Sequence, residues 1–251
     1  MRSFFYSFLA IVWLGTSCSS GTAQQEAISP YAEAINASTV MINELMDAKN
    51  FPGAGVAVSV GGELVWSEGF GYADIASGKT IDPAETLFRI GSISKPYTAA
   101  GLAHLYQAGK IDLDTTIYTY VPNFPKKAHD FNLRQLGGHL AGIRHYKGDE
   151  FSMNKYFATV TEGLDIFKDD ELIFEPGTQY SYSSYGWNLI SAAMESVIDV
   201  PFLEYIQTTV FDPLDMKHTF PEYSNREYPE RVSFYVQNEG ENELAPTVDN
   251  S

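Results

Sequence analysis

The segment that most constrains this chain is Phe88–Lys95, together with Pro96 directly after it. Apolar residues continue at helical spacing from Ile93 to Leu105. Because proline lacks an amide hydrogen, Pro96 fits only the first turn of a helix. The sequence therefore predicts a helix that begins near Ser92 or Ile93, with the Ser92 side chain at its N-terminal end.

Ser92 and Lys95 are three residues apart, so a helix places both side chains on one face. A serine at the positive end of a helix is a plausible nucleophile when an amine lies beside it, because a free serine needs a base. The alternative is a helix cap followed by a surface lysine, since this spacing also occurs by chance. The pair alone indicates only a candidate nucleophile, and a second motif is needed to distinguish the two interpretations.

The composition is that of a globular protein, with 251 residues, 44% hydrophobic and 14% aromatic content. A chain of this length can bury a sizeable core. It carries 32 acidic and 16 basic residues, a formal net charge of −16. This balance argues against nucleic-acid and anionic-lipid partners, because both require basic patches.

The first 18 residues have the pattern of a bacterial export signal. Arg2 precedes an apolar run from Phe4 to Leu14, which is too short for a membrane helix. Cys18, the only cysteine, follows this run. We predict a lipoprotein signal, with acylated Cys18 tethering the protein in the periplasm or at the outer membrane. The alternative is ordinary cleavage after Ala23, which would release a soluble protein.

The rest of the chain is predicted to consist of a tether and three segments. Residues 19–28 are small and polar and are interpreted as the tether. Residues 29–108 should form an N-terminal helix, a hairpin that turns at Gly61-Gly62 and the helix that carries Ser92. Residues 109–230 are predicted to be mostly helical. Residues 231–251 should begin a return to the sheet, starting with a short strand.

Two histidines, His139 and His145, suggest a zinc site or a catalytic triad. They are six residues apart, and no cysteine or glutamate joins them at a ligand spacing. We therefore favour structural histidines that are satisfied by hydrogen bonds.

A second motif lies at residues 175–184, Glu-Pro-Gly-Thr-Gln-Tyr-Ser-Tyr-Ser-Ser. Together with Ser92-x-x-Lys95 it resembles the serine β-lactamase-related hydrolases, which include class C β-lactamases and penicillin-binding proteins. Segments 107–114 and 120–125 also match this family. Segments 142–146, 210–216 and 248–251 most resemble its branch of mitochondrial serine β-lactamase-like proteases.

The resemblance implies an α/β (α+β) fold of the β-lactamase/transpeptidase type, with an antiparallel sheet layer and an inserted helical region. It implies a serine hydrolase that cleaves amide or ester bonds of a small-molecule or peptide substrate through an acyl-enzyme, with no metal or cofactor. By position, Ser92 resembles the nucleophile, Lys95 its activator and Tyr182 the tyrosine of Tyr-x-Asn. Tyr180 is the competing tyrosine. Either Lys95 or Tyr182 could be the general base.

Two features depart from the family pattern. Ser184, a predicted substrate-binding residue, stands where the family has asparagine, so one rotatable hydroxyl replaces a two-donor amide. No Lys/His-x-Gly motif follows Tyr182. We expect the C-terminal strands of the family fold to be missing and this chain to be poorly active. The alternative function is a non-catalytic, penicillin-binding or sensor-like protein; the sequence indicates no oligomeric state.

Overall fold

A computed structural model describes residues 29–223 and 226–245. The helices are α1 (Ala32–Lys49), α2 (Ser94–Gln107), α3 (Leu133–Gly137), α4 (Ser184–Glu195) and α5 (Phe202–Ile206). The strands are β1 (Gly53–Val60), β2 (Glu63–Asp74), β3 (Lys79–Thr80), β4 (Tyr235–Asn238) and β5 (Glu241–Leu244). Single helical turns connect them at Gly91–Ile93, Ile117–Thr119, Glu150–Ser152, Glu162–Ile166, Gln207–Phe211 and Asp212–Leu214.

The sheet layer is an antiparallel sheet in the order β1-β2-β3, and β4 and β5 form a separate hairpin. The hairpin of β1 and β2 turns at Gly61-Gly62, as the sequence predicts, with Val60 paired to Glu63. Both turn residues have positive φ, +60° and +89°, which glycine adopts at little cost. The local sequence therefore sets the register of this hairpin.

The region 109–230 was predicted to be mostly helical, and this is wrong. Between α2 and α4 the described chain is largely loops and short helical turns. Pro122, Pro125 and the Gly137-Gly138 pair interrupt regular structure in this part of the chain. Its apolar residues are nevertheless buried: Ile117 is 0% exposed and Phe131 is 2% exposed. Loops without regular secondary structure thus contribute side chains to the core.

The main core lies on the helical side of the molecule. One cluster of buried side chains extends from Leu102 to Phe211 in the sequence. Helix α4 supplies the fully buried Leu189, Ile190 and Met194 to it. In contrast, no side chain of α1 is buried, and β2 supplies only Phe70 and Ala73. The two helices that bear the candidate site, α2 and α4, both pack into this core.

The segment that leads to Ser92 is held by residues far along the chain. The Leu87 amide donates to the Glu230 carbonyl at 2.9 Å, and the Val232 amide donates to the Leu87 carbonyl at 3.0 Å. The strand predicted from Arg231 begins only at Tyr235, because residues 231–234 form this single parallel bridge to Leu87 instead. The segment before Ser92 is therefore paired with residues 230–232 before α2 begins.

Gly69 in β2 provides a test of the sheet packing. A Cβ at this position would lie 2.2 Å from the Ile81 carbonyl oxygen, which is backbone and cannot move aside as a side chain would. We expect Gly69→Ala to lower the free energy of unfolding by about 1–3 kcal/mol, measured by urea denaturation. Gly137→Ala is the control, because its Cβ would meet nothing closer than 3.9 Å. Equal effects of the two substitutions would contradict this packing.

Candidate active site

Ser92 lies at the N-terminal end of α2, where the sequence places it. A single turn at Gly91–Ile93 leads directly into the helix, and Pro96 occupies its first turn. Gly91 has φ +52°, a left-handed conformation that glycine permits. The Ser92 side chain is exposed, so its hydroxyl is accessible at the positive end of the helix.

Lys95 contacts two serines. Its Nζ donates to Ser92 Oγ at 3.0 Å and to Ser184 Oγ at 3.2 Å. The Lys95 side chain is half-buried, whereas Ser92 is open to solvent. The ammonium group is thus held between the start of α2 and the start of α4.

Tyr182 completes the group. Its hydroxyl lies 2.6 Å from Ser92 Oγ, in hydrogen-bond contact. Ser183, directly after it, caps α4: the Gly186 amide donates to Ser183 Oγ at 3.0 Å. The competing Tyr180 is 66% exposed and lies edge-on to the ring of His139 instead. All four site residues predicted for the described part of the chain therefore come together.

The electrostatics of the site favour the phenolate of Tyr182. Hydrogen bonding to the Lys95 ammonium, and then to the Ser92 hydroxyl, lowers the pKa of Tyr182 below its ordinary value of 10.0. Burial of the phenol opposes this shift, and the positive charge of Lys95 adds to it. Tyr182 is consequently ionised to a larger extent at neutral pH than a free tyrosine.

His139 and His145, which are predicted to be structural, also lie at this site. Nδ1 of His139 accepts the Ser183 amide at 3.0 Å, and Nδ1 of His145 accepts the Ser184 amide at 3.2 Å. Both rings also contact the ring of Tyr182. They are satisfied by hydrogen bonds, as expected, but their contact with Tyr182 joins residues about 40 positions apart. No local sequence signal indicates such a contact.

An ionic cluster fixes the loop that carries His145. Arg144, whose side chain is only 11% exposed, donates to both carboxylate oxygens of Glu150 at 2.7 and 2.9 Å. Its Nε donates to Asp170 at 2.6 Å. The Arg144 carbonyl in turn accepts the Ser183 hydroxyl at 2.7 Å. The loop and the start of α4 are therefore bound together.

A cavity of about 610 Å³ opens beside the site, and Ser184 lies in its wall. Aromatic and aliphatic side chains form much of the lining, among them Tyr146, Phe151, Met153, Phe157, Ile166 and Phe202. Of the four predicted site residues only Ser184 lines this cavity, and Ser184 Oγ contacts Lys95 Nζ at 3.2 Å. The apolar part of the wall suits an uncharged, apolar group. Charged residues also line the cavity, namely Glu150, Lys155, Glu195, Glu204 and Glu222.

Cys18, the predicted lipid attachment site, lies outside the described residues. Lipid attachment and export therefore stay predictions. Within residues 29–223 and 226–245, no helix is long and apolar enough to cross a bilayer.

Solved structures with the same fold define the class of this molecule. A penicillin-binding protein homologue from Pyrococcus abyssi superposes with a TM-score of 0.72 at 22% identity, covering 85% of this chain and 50% of that one. The hydrolase EstCE1 gives a TM-score of 0.71 at 23% identity, covering 86% and 60%. A class C β-lactamase in complex with cefoxitin gives 0.70 at 23%, covering 86% and 58%. The fold is of the β-lactamase/transpeptidase type, as predicted.

Sequence comparison adds the family. The chain belongs to the Beta-lactamase family, which it matches over residues 40–248. It is 32% identical over 291 aligned residues to the mitochondrial serine beta-lactamase-like protein LACTB of Homo sapiens, covering 88% of this chain and 53% of that protein. Penicillin-binding protein 4* of Bacillus subtilis (strain 168) is 28% identical over 185 residues, covering 72% and 40%. The chain thus spans about half the length of these curated relatives.

The site geometry predicts how Tyr182 titrates. Because Lys95 is the main cause of its lowered pKa, Lys95→Met should raise the pKa of Tyr182 toward the ordinary value. Titration of ¹³Cζ-labelled tyrosine by NMR, assigned with Tyr182→Phe, measures this change. The control is Lys110→Met, which removes a lysine just beyond the other end of α2, roughly 20 Å away along the helix. An unchanged Tyr182 titration in Lys95→Met would contradict the assignment.

Proposed function

We propose that this chain acts as a serine hydrolase that cleaves amide or ester bonds through an acyl-enzyme on Ser92. The observation that carries the proposal is the double contact of Ser92 Oγ, with Lys95 Nζ at 3.0 Å and with the Tyr182 hydroxyl at 2.6 Å. A serine within hydrogen-bond reach of a base that a third group supports is the arrangement of an activated nucleophile.

In the first half of the reaction, the Tyr182 phenolate takes the Ser92 proton as Oγ attacks the substrate carbonyl carbon. The carbonyl π electrons move onto oxygen and form a tetrahedral intermediate. When this intermediate collapses, the bond to the leaving group breaks, and Tyr182 returns the proton to that group. The hydrogen bond and positive charge of Lys95, which lower the pKa of Tyr182, stabilise the phenolate.

In the second half, water replaces the leaving group. Tyr182 takes a proton from the water as its oxygen attacks the acyl carbon. Collapse of the second tetrahedral intermediate breaks the bond to Oγ, and the proton restores the Ser92 hydroxyl. The net reaction is hydrolysis, and no redox partner is needed.

Proteins with this fold support acyl chemistry of this kind. EstCE1 is a hydrolase with promiscuous acyltransferase activity, and one class C β-lactamase structure is a complex with cefoxitin. A second candidate function is a penicillin-binding protein that is acylated but turns over slowly, and the serine at position 184 favours it. A single hydroxyl there offers fewer donors to a substrate than the asparagine of the family pattern.

Active-site labelling tests the nucleophile. We expect a fluorophosphonate probe to label the wild-type chain, and Ser92→Ala to abolish labelling, because the probe requires an activated serine oxygen. Ser94→Ala, which changes an exposed serine two residues away, should label normally. Intact protein mass spectrometry after exposure to an ester or a penicillin then separates the two functions: a hydrolase loses the acyl group, whereas a binder retains it. Labelling that survives Ser92→Ala, or no labelling of the wild type, would contradict the proposal.

The cavity beside Ser184 predicts the preferred acyl group. We expect kcat/KM for p-nitrophenyl hexanoate to exceed that for the acetate on the order of tenfold or more, since each buried methylene contributes about 0.8 kcal/mol. Ala158 lines the cavity and is exposed, so Ala158→Trp should reduce this preference and leave acetate hydrolysis unchanged. Equal rates for the two esters in the wild type would show that the acyl group does not enter the cavity.

A further inference from the structure

We propose that His139 and His145 are positioning residues for Tyr182: their neutral rings accept the two backbone amides that follow the tyrosine and hold its phenol against Ser92 and Lys95. This inference rests on the proposed role of Tyr182 in hydrolysis. It assigns a role in the reaction to two residues that do not line the cavity beside Ser184.

The first part of the argument is the backbone. The Ser181 amide donates to the His139 carbonyl at 3.0 Å, so the segment before Tyr182 is held by the main chain of His139. The Ser183 amide donates to His139 Nδ1 at 3.0 Å, and the Ser184 amide donates to His145 Nδ1 at 3.2 Å. The amides on both sides of Tyr182 are therefore hydrogen-bonded to His139 or His145.

The second part is the side chains. The His139 ring lies 4.5 Å from the Tyr182 ring, centroid to centroid, with an interplanar angle of 33°. The His145 ring lies 5.4 Å from it at 89°, an edge-to-face contact. Lys95 Nζ lies 4.9 Å from the centroid of the same ring. Two imidazoles and one ammonium group thus contact the Tyr182 ring.

The third part is protonation. A histidine Nδ1 that accepts an amide must lack a proton, so both rings are held as the neutral Nε2–H tautomer. The charged group that faces both rings from α2 is Lys95. The titratable neighbours of His139 are His145, Tyr180 and Tyr182. Those of His145 include Tyr146 and Tyr182. Burial, followed by the Lys95 charge, lowers the pKa of both histidines. The site therefore keeps them neutral.

The sign of the pH effect follows from this arrangement. The folded chain favours the neutral rings, so their contribution is complete above the ordinary histidine pKa of 6.5 and is lost as the pH falls through their lowered values. Protonation turns each Nδ1 from an acceptor into a donor that faces an amide. Below that range the two amide–Nδ1 hydrogen bonds of Ser183 and Ser184, which we call the clamp, should break and release Tyr182.

The positioning role can be tested with substitutions that tolerate the positive φ of His139. His139 has φ +60°, a conformation that asparagine and glycine tolerate. His139→Asn keeps an acceptor near the Nδ1 position, whereas His139→Gly removes both acceptor and ring. At pH 8 we expect His139→Gly to slow fluorophosphonate labelling of Ser92 by about 10- to 100-fold, since small misplacements of reacting groups cost rates of this order. His139→Asn should recover much of the loss.

The pH profile separates positioning from general stability. In a plot of the logarithm of the labelling rate against pH, the wild-type rate should fall with slope one while only Tyr182 gains a proton. The slope should become steeper once the two histidines gain protons as well. The double variant His139→Asn/His145→Asn should keep slope one throughout. His104→Asn, a control on α2 whose histidine contacts Tyr205 instead, should retain the steep limb. An unchanged profile in the double variant, or wild-type labelling rates in His139→Gly, would overturn the proposal.

A measurement that does not depend on hydrolysis completes the test. Protection of the Ser183 and Ser184 amides from hydrogen exchange, corrected for the intrinsic pH dependence, should fall in the wild type on acidification and stay constant in the double Asn variant. If this holds while Ser92 is not labelled, the clamp is correct and the proposed hydrolase function is wrong. If protection does not respond to pH in the wild type, the clamp itself is wrong.

Discussion

The candidate site depends on one contact, the approach of the Tyr182 hydroxyl to Ser92 Oγ across 90 residues of sequence. A single hydrogen bond contributes only about 0.5–1.5 kcal/mol, so it cannot by itself hold two distant segments together. The packing behind it does so. Helices α2 and α4 both bury side chains in the same core, and this core places the N-terminal ends of the two helices side by side. The polar contacts at Ser92 then fix only the final geometry.

The parts of the fold that follow from short-range rules could be predicted from the sequence. Pro96 locates the start of α2, and a helix of known pitch brings Lys95 to Ser92. The two glycines at positions 61 and 62 locate the hairpin turn. The choice of Tyr182 over Tyr180 came from the family motif rather than from periodicity, because both tyrosines lie in a loop without a repeating pattern.

The parts that depend on long-range packing could not be predicted. The loops between α2 and α4 bury Ile117 and Phe131 without the spacing of a helix or strand, so no periodicity in the sequence marks these residues as core. The roles of His139 and His145 depend on where α4 begins in space, about 40 residues later. Ser184 is an intermediate case. Its departure from the family asparagine is visible in the sequence, but its contact with Lys95 is visible only in the fold.

The uneven burial has a consequence for how the molecule opens. Segments with few buried apolar contacts open at a lower free energy than a well-packed core, and they do so as cooperative units. Helix α1 buries no side chain, whereas α4 has several that are completely enclosed. The sheet layer should therefore separate from the helical side well before the whole chain unfolds. Ser92 lies at the boundary between these units, since the chain that leads to it pairs with residues 230–232 while α2 behind it is anchored in the core. Ser92 is thus followed by a helix that is anchored in the core and preceded by a segment that should open at a lower free energy.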